Sequence, residues 1–467
     1  MTDSIPISQS IITFRNSQGQ ESRGMLLKLT RHKVVMEVYN PYSIVQLSEV
    51  LANLKIVRGE STIYNGRAVV ASLVNTGLML IVSVTLVDVL EDLRDLHDSP
   101  RELSRETEQY IAQWESRHQL REEYMLAVAS LRAFLADLHL WLEQFDVATD
   151  DDMETTPLTR RAFDAIADPV IDKSNELFLQ FEEAARRVDE EELNSHKSFA
   201  QQDLHPLLMR SPFFYRSYVK PLGYAGDYGM VNMMLADRRA GPTTYTQLIN
   251  AYFHQIGPTR AHRNRIDILA DRLTQIGEKF RDKPVRAQVL NMACGPALEV
   301  QRFVRTQQQC EYCDLTLVDF NEETLEHAEQ KIADARKASG FEAGINFVQK
   351  SVHQLLKEAA KPTPEQLHQE DRYDLIYCAG LFDYLSDKIC ARLLRLFYRW
   401  VKPGGMVFVT NVHPRNPSQR CMEHIVEWYM EYRDEEDMLR LARGYGDQYV
   451  YLDFTGLNVF FEIHKPG

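Results

Sequence analysis

The stretch Val289-Leu290-Asn291-Met292-Ala293-Cys294-Gly295-Pro296-Ala297 decides the fold of the last third of this chain. An apolar run ends in a turn of small residues, and a helix-patterned segment, about Leu298 to Thr306, follows at once. A second apolar run, Leu315-Thr316-Leu317-Val318, ends in Asp319, 24 residues beyond Gly295. Strand, tight turn, helix, strand and acid in this order make a nucleotide-binding βαβ unit. The small residues admit backbone close to a ligand, and the acid accepts ribose hydroxyls. A dinucleotide pyrophosphate would favour G-x-G-x-x-G. Here the outer small positions are Ala293 and Ala297, and the turn is one residue shorter.

Strands and helices continue to alternate downstream, which predicts a parallel sheet. The strand-like segments are Val285 to Met292, Phe347-Val348-Gln349-Lys350-Ser351-Val352 and Tyr373-Asp374-Leu375-Ile376-Tyr377-Cys378-Ala379-Gly380. Leu394 to Phe408 follows, containing Val401-Lys402-Pro403-Gly404-Gly405-Met406, and then Tyr449 to Asp453 and Leu457 to Ile463. In this order the segments resemble the class I S-adenosylmethionine-dependent methyltransferases over residues 285 to 464, with the opening nonapeptide as their motif I. The resemblance implies a Rossmann-like seven-stranded sheet closed by an antiparallel hairpin, with S-adenosyl-L-methionine as cofactor. It places Ala293, Cys294 and Gly295 at the cofactor's turn, and Asp319 and Phe320 at its ribose. Ser351 and Val352 fall near the adenine, and Cys378, Ala379 and Gly380 at the end of the fourth strand. Two positions depart from the family pattern. Asn291 stands where an acid usually helps to hold the methionine amino group, and Ser351-Val352 where an acid usually meets adenine N6.

Upstream, residues 8 to 95 read as β structure. The runs are Val34 to Val38, Ile44 to Leu47, Ala52 to Val57, Ser61 to Ile63, Gly66 to Leu73 and Leu78 to Leu86. Asn40-Pro41 signals a turn, and Tyr64-Asn65-Gly66 a hairpin. Short strands at this spacing predict a small antiparallel barrel. Arg23-Gly24-Met25, Val57-Arg58-Gly59-Glu60 and Gly66-Arg67-Ala68-Val69-Val70 resemble a PilZ-type barrel. That family's cyclic-di-GMP binders carry an Asp/Asn-x-Ser-x-x-Gly turn. Lys28-Leu29-Thr30-Arg31-His32-Lys33 stands in its place without the acid or the glycine. The expectation is a structural or interaction barrel rather than a cyclic-di-GMP receptor.

Between barrel and sheet the texture is helical from about Arg101 to Ala200. Leu131, Phe134, Leu135, Leu138 and Trp141-Leu142 form one apolar face, and Phe178, Phe181 and Ala184-Ala185 another. Asp150-Asp151-Asp152 and Thr155-Thr156-Pro157 mark the break between the two helices. These faces are core or a homodimer interface. Residues 205 to 260 are dense in aromatics, glycines and prolines, which predicts an irregular region, and loops of this composition often line sites. The domain reading is a barrel over 1–97, a helical domain over 98–204, a lid and helical extension over 205–280, and the α/β domain over 281–467.

Ligands sit at the carboxyl ends of parallel strands, so acceptor-side candidates follow the fourth and fifth strands. Asp383 and Tyr384 could line the acceptor pocket, and His413 could serve as base or orienting group. Arg260, Arg263 and Arg265 share a predicted helix, from which one could reach a carboxylate bidentately. Tyr224, in the segment Lys220–Tyr228, is a candidate for the cofactor side. Trp428, Tyr429 and Tyr432 follow helical spacing after the fifth strand, as core or lid. The whole order of parts resembles bacterial 3-hydroxy-fatty-acid methyl ester synthases of the quorum-signal type. That resemblance implies O-methylation of a small apolar carboxylic acid. Two other readings stand beside it: a regulatory protein that senses the cofactor without catalysis, and a protein-modifying methyltransferase docked through the barrel.

Net charge is −14 with pI near 5.5, which argues against nucleic acid as a general partner, since phosphate binding needs a surplus of cations. The longest apolar run, Thr76 to Val87, has the length of a buried strand rather than of a membrane span. No basic-then-apolar leader opens the sequence. Six scattered cysteines with one C-x-x-C pair, Cys310 and Cys313, suggest a reducing, cytoplasmic setting and no metal site.

Overall fold

The chain is described from a computed structural model. It covers residues 10–88 apart from 18, 20, 31, 39–44, 59–60 and 76–79; residues 107, 108 and 111; residues 120–360 apart from 145, 149–154 and 157; and residues 371–467. The expected turn at Asn40-Pro41, the break at Asp150-Asp151-Asp152 and Pro157 lie outside the described residues.

Six strands close into an antiparallel barrel: β1 (Ser10–Arg15), β2 (Glu21–Leu29), β3 (Lys33–Val38), β4 (Val50–Arg58), β5 (Ser61–Asn75) and β6 (Leu80–Leu86), in the order β1-β2-β3-β6-β5-β4. In β3, Val34, Met36 and Val38 are fully buried and alternate with less buried neighbours, the period-two pattern of a strand with one face inward. Two sequence expectations are corrected. Asn65-Gly66 is not a hairpin turn but lies inside β5, with Lys55 opposite Asn65 and Leu54 opposite Gly66. A Cβ on Gly66 would lie 2.6 Å from Asp88 Oδ2 and 2.9 Å from the Tyr64 hydroxyl, so this glycine admits a close approach rather than a reversal. The expected strand at Ile44 to Leu47 is, over its described residues, a buried turn. Glu49 takes its hydrogen bonds there, accepting from Gln46 N and from Ser17 N and Oγ, each at 2.7 Å.

The middle region packs α1 (Glu122–Glu143) on α2 (Arg160–Arg186) and α3 (Leu193–Leu208), and between α1 and α2 two short strands, β7 (Val147–Ala148) and β8 (Thr155–Thr156), pair antiparallel. Leu131, Leu135, Leu138 and Leu142 are buried, whereas Trp141, expected on the same face, is 45% exposed. By length and composition alone α1 could cross a membrane, which the sequence reading did not expect. Here Tyr124, Val128 and Leu131 sit in the helical core.

Residues 205–260 are helical, not irregular: α4 (Pro212–Val219), α5 (Tyr228–Leu235) and α6 (Thr244–Gln255). The residues that looked like breakers are start signals. Ser211 and Asp227 accept from Phe214 N and Met230 N, Pro212 occupies a first-turn position, and Thr243 forms a capping box with Thr246.

Then α7 (Gly257–Phe280) leads into the sheet. Its parts are β9 (Ala287–Met292), α8 (Leu298–Thr306), β10 (Cys313–Asp319), α9 (Glu322–Ser339), β11 (Gly344–Gln349), α10 (Val352–Ala360), β12 (Tyr373–Cys378), α11 (Asp387–Trp400), β13 (Val401–Val412), α12 (Gln419–Ile425), α13 (Glu435–Leu441), β14 (Asp447–Leu452) and β15 (Asn458–His464). Strand order is β11-β10-β9-β12-β13-β15-β14. The first five strands run parallel and β15 is antiparallel to both its neighbours. Strand order reverses between β9 and β12, where an open α/β sheet leaves its ligand crevice. Trp428, Tyr429 and Tyr432 are not helical: α12 ends at Ile425 and Glu427 takes φ +52°, so the chain runs on without a helix to Asp434.

Candidate active site

A cavity of about 550 Å³ opens at that crevice. The turn after β9 forms one wall. Ala293, Gly295 and Ala297 have φ of 56°, 53° and 51°, all left-handed. Nothing lies within 4 Å of where a Gly295 Cβ would stand, so a ligand can approach this backbone closely. Asp319, at the end of β10, closes on the turn: Oδ2 accepts from Gly295 N and Oδ1 from Asn321 N, each at 3.0 Å. Burial pushes the Asp319 pKa up, and these backbone N–H groups pull it back. Each oxygen keeps lone pairs for further donors.

Glu299, which the sequence reading missed, brings a buried carboxylate beside Asn291. It lies in the first turn of α8, on the cavity wall. Its Oε1 accepts from Asn291 Nδ2 at 2.9 Å and from the Tyr377 hydroxyl at 2.8 Å. Burial raises its pKa, while those donors and Arg265 pull it down. The amide at 291, where the resemblance expects an acid, was the one signal in the sequence that pointed to its neighbours.

The predicted cofactor residues fall into two groups. Ala293, Cys294, Gly295, Asp319, Phe320, Val352, Ala379, Gly380 and Tyr224 line the cavity. Tyr224 packs on Phe320 with ring centroids 5.2 Å apart. Ser351, Cys378 and Arg260 are not on its wall. Ser351 exchanges hydrogen bonds with Gln354 at the start of α10, and Cys378 is buried in the core beneath. Of the three candidate arginines on α7, Arg265 reaches the cavity. A Cβ on Gly380 would lie 3.0 Å from its guanidinium, so glycine is required there. Arg263 instead donates to backbone oxygens of Met234 and His254.

Asp383 and Tyr384 also line the cavity, but His413 does not. His413 Nδ1 accepts from Arg415 N at 2.9 Å, and Nε2 lies 3.2 Å from Glu435. The strand-end hydrogen bonds that could have poised it for a ligand are thus spent on its own loop. Asp383 is committed as well: Oδ1 accepts from Val412 N at 2.7 Å and Oδ2 lies 3.9 Å from Arg265 Nη1. The Tyr384 oxygen accepts from Trp428 Nε1 at 3.0 Å, and burial raises its pKa, which keeps the phenol neutral.

The rest of the lining is largely apolar, with Asn175, Gln255, Thr259, His262 and Asn416 among its polar groups. Phe178, Phe213, Phe214, Met234, Tyr252 and Phe253, all from the helical middle region, build the far wall, and Gln46 from the barrel region reaches it too. Of these six, Phe178 comes from the region read as a helical domain, and the other five from the region read as a lid and helical extension.

The turn, the ribose-side acid at 319 and the acid at 299 fit a ligand with an adenosyl group at one end and an amino acid at the other. Residues 289–405 match the methyltransferase domain family, and this sheet is a methyltransferase domain. No curated protein matches the chain. Among solved structures, a possible exported protein from Bordetella parapertussis is 14% identical, over 75% of this chain and 99% of that one, with a TM-score of 0.39. A magnesium protoporphyrin IX methyltransferase from Synechocystis PCC 6803 with bound SAM is 10% identical, over 45% and 82%, with a TM-score of 0.31. An N-methyltransferase from Bradyrhizobium japonicum WM9 in complex with S-adenosyl-L-homocysteine is 14% identical, over 51% and 98%, with a TM-score of 0.31.

Proposed function

We propose that this chain is an S-adenosylmethionine-dependent methyltransferase that esterifies the carboxylate of a small apolar acid, such as a 3-hydroxy fatty acid of the quorum-signal type. The observation that carries this reading is one cavity with two unlike linings. The glycine turn, Asp319 and Glu299 of the sheet domain form one, and Phe178, Phe213, Phe214 and Phe253 of the helical core the other.

When bound, the donor supplies an electrophilic methyl group on a sulfonium. Asp319 would hold its ribose hydroxyls, Glu299 its ammonium and Arg265 its carboxylate, while Tyr224 and Phe320 cover the site. On the acceptor side the available polar groups favour an anion. Trp428 donates to the Tyr384 oxygen, so Tyr384 keeps its own O–H to give. Asp383 is held by Val412 N and Arg265, and His413 by Glu435, which leaves neither poised to remove a proton. A carboxylate needs no base, whereas an amine or hydroxyl does. What remains for the chain to do is to align the acceptor, exclude water and bury the alkyl tail.

The test is incubation of the full chain with S-adenosylmethionine and a series of 3-hydroxy fatty acids, read by mass spectrometry for methyl esters, with Asp319→Ala as control. Ester formation that the control abolishes supports the reading. Methyl transfer to added proteins and to none of the acids would overturn it in favour of a protein-modifying enzyme.

A further inference from the structure

His262, one turn before Arg265 on α7, carries a buried donor that nothing in the fold satisfies. Arg265 Nη2 lies 2.7 Å from His262 Nδ1. A guanidinium only donates, so Nδ1 accepts and the ring proton sits on Nε2. Burial, with Arg265 and Arg263 beside it, holds the His262 pKa well below the usual histidine range, so the ring is neutral. Among the described residues four buried side-chain nitrogen or oxygen atoms lack a partner: Ser83 Oγ, Arg336 Nε, His424 Nε2 and His262 Nε2. Of these four residues, His262 alone lines the cavity. A buried N–H without an acceptor is costly, and in a cavity wall it is met by an oxygen of the ligand.

The course of α7 says which ligand. Arg265 stands against Gly380, just past the end of β12. One turn earlier the Ala261 carbonyl accepts from Asn458 Nδ2 at 2.9 Å, at the start of β15. Gly257, the first residue of α7, packs against Leu457 and Pro417. Towards its N-terminus the helix therefore leaves the β9–β12 crevice for the β13–β15 side. His262, one turn nearer that N-terminus than Arg265, lies toward this side, which the proposed function gives to the acceptor. Fixed as an acceptor at Nδ1, it cannot take a proton there and offers only Nε2–H.

We infer that His262 donates its Nε2–H to the carboxylate of the methyl acceptor and makes the site specific for acids, with Arg265 as the positioning residue that sets its tautomer. This rests on the proposed function. The donor's own carboxylate has the same chemistry, and the two sources separate by experiment. Binding of 3-hydroxydodecanoate and of dodecane-1,3-diol to the full chain is measured by calorimetry with saturating S-adenosylhomocysteine. Wild type is expected to bind the acid about tenfold or more tighter than the diol, the size of a hydrogen bond to a charged group. His262→Ala is expected to bring the two affinities together and leave S-adenosylhomocysteine affinity within about twofold, and His262→Gln, whose amide also donates, to restore part of the preference. An unchanged acid preference in His262→Ala overturns the inference, as does a loss confined to S-adenosylhomocysteine. Wild type that binds acid and diol equally overturns the carboxylate reading of the site itself.

Discussion

Trp428 donates its indole N–H to the Tyr384 hydroxyl at 3.0 Å in the cavity, while the next residue, Tyr429, is buried in the core of the barrel. Ser48 fixes that junction by exchanging hydrogen bonds with the Tyr429 backbone, and Val50 N donates to Gly223 O at 2.6 Å. A segment of two residues thus ties the barrel to the cavity wall at Tyr384. Tyr429→Ala is expected to destabilise the barrel by about 3 kcal/mol, the cost of deleting a buried aromatic. It should also raise the acceptor KM severalfold and leave donor affinity unchanged. Trp428→Phe keeps the packing and removes the donor, so it should raise acceptor KM without the stability loss. Denaturant melts and initial-rate kinetics check both, and an unaltered KM in the two variants would show that barrel and site are independent.

Glu299 is expected to set donor affinity. It must be ionised to neutralise an ammonium, and burial raises its pKa above the ordinary 4.5. Donor affinity should therefore be full at neutral pH and fall as pH drops through that raised value. Glu299→Gln should weaken S-adenosylhomocysteine binding about tenfold or more, as expected for a lost charge-assisted contact, and flatten the acid limb. Calorimetry across pH reads both effects. A variant that binds as wild type does would return the ammonium to some other group.

The glycine turn stores strain in alanines. Ala293 at φ 56° places a Cβ where L-residues are disfavoured by about 1–2 kcal/mol. Ala293→Gly should raise stability by up to about 1 kcal/mol, the strain relief less the entropy glycine adds to the unfolded chain. A thermal melt decides the sign, and a clear loss of stability would mean that the Ala293 methyl group contributes packing worth more than its strain.

What the sequence disclosed and what it hid follow from locality. The turn and its acid were legible because strand, turn, helix and strand are contiguous, and Gly295 N meets Asp319 Oδ2 as that spacing implies. The barrel strands were legible from alternation, but Asn65-Gly66 misled because that glycine answers a contact with Asp88 rather than a reversal. The helices over 205–260 were hidden because Pro212, Asp227 and Thr243 are ambiguous between breaking a helix and starting one. His262 and Glu299 had no motif to mark them. Their meaning comes from Arg265, Asn291 and Tyr377, which only the tertiary fold brings to them. The aromatic lining is a still more distant assembly, since Phe178 on α2 and Phe213, Phe214 and Phe253 on α4 and α6 meet the sheet only through packing.

Beneath the barrel, Lys197 and Lys220 flank Glu427 in a buried cluster carrying one more positive than negative charge. Lys197 Nζ lies 3.0 Å from Glu427, and Lys220 Nζ donates to Val426 O at 2.9 Å. Lys220 carries the cost: burial pushes its pKa down to about 8, with Glu427 pulling it up and Lys197 adding to the fall. A lysine whose folded pKa lies below its unfolded value of 10.5 binds fewer protons folded than unfolded between those two pH values, so its contribution makes stability rise with pH from about 8 to 10.5. Below about pH 8 both states hold the proton and the folded state bears the full penalty of the buried charge. Lys220→Met removes that penalty and keeps the stem that fills the site. The variant should exceed wild type by up to about 3 kcal/mol at pH 7, the cost of holding that proton in the buried site. Its advantage should shrink steadily between pH 8 and 10.5. Urea unfolding of both proteins across that range measures the difference directly. A gap that stayed constant with pH would mean that Lys220 titrates normally, and that the Glu427 charge balances both lysines.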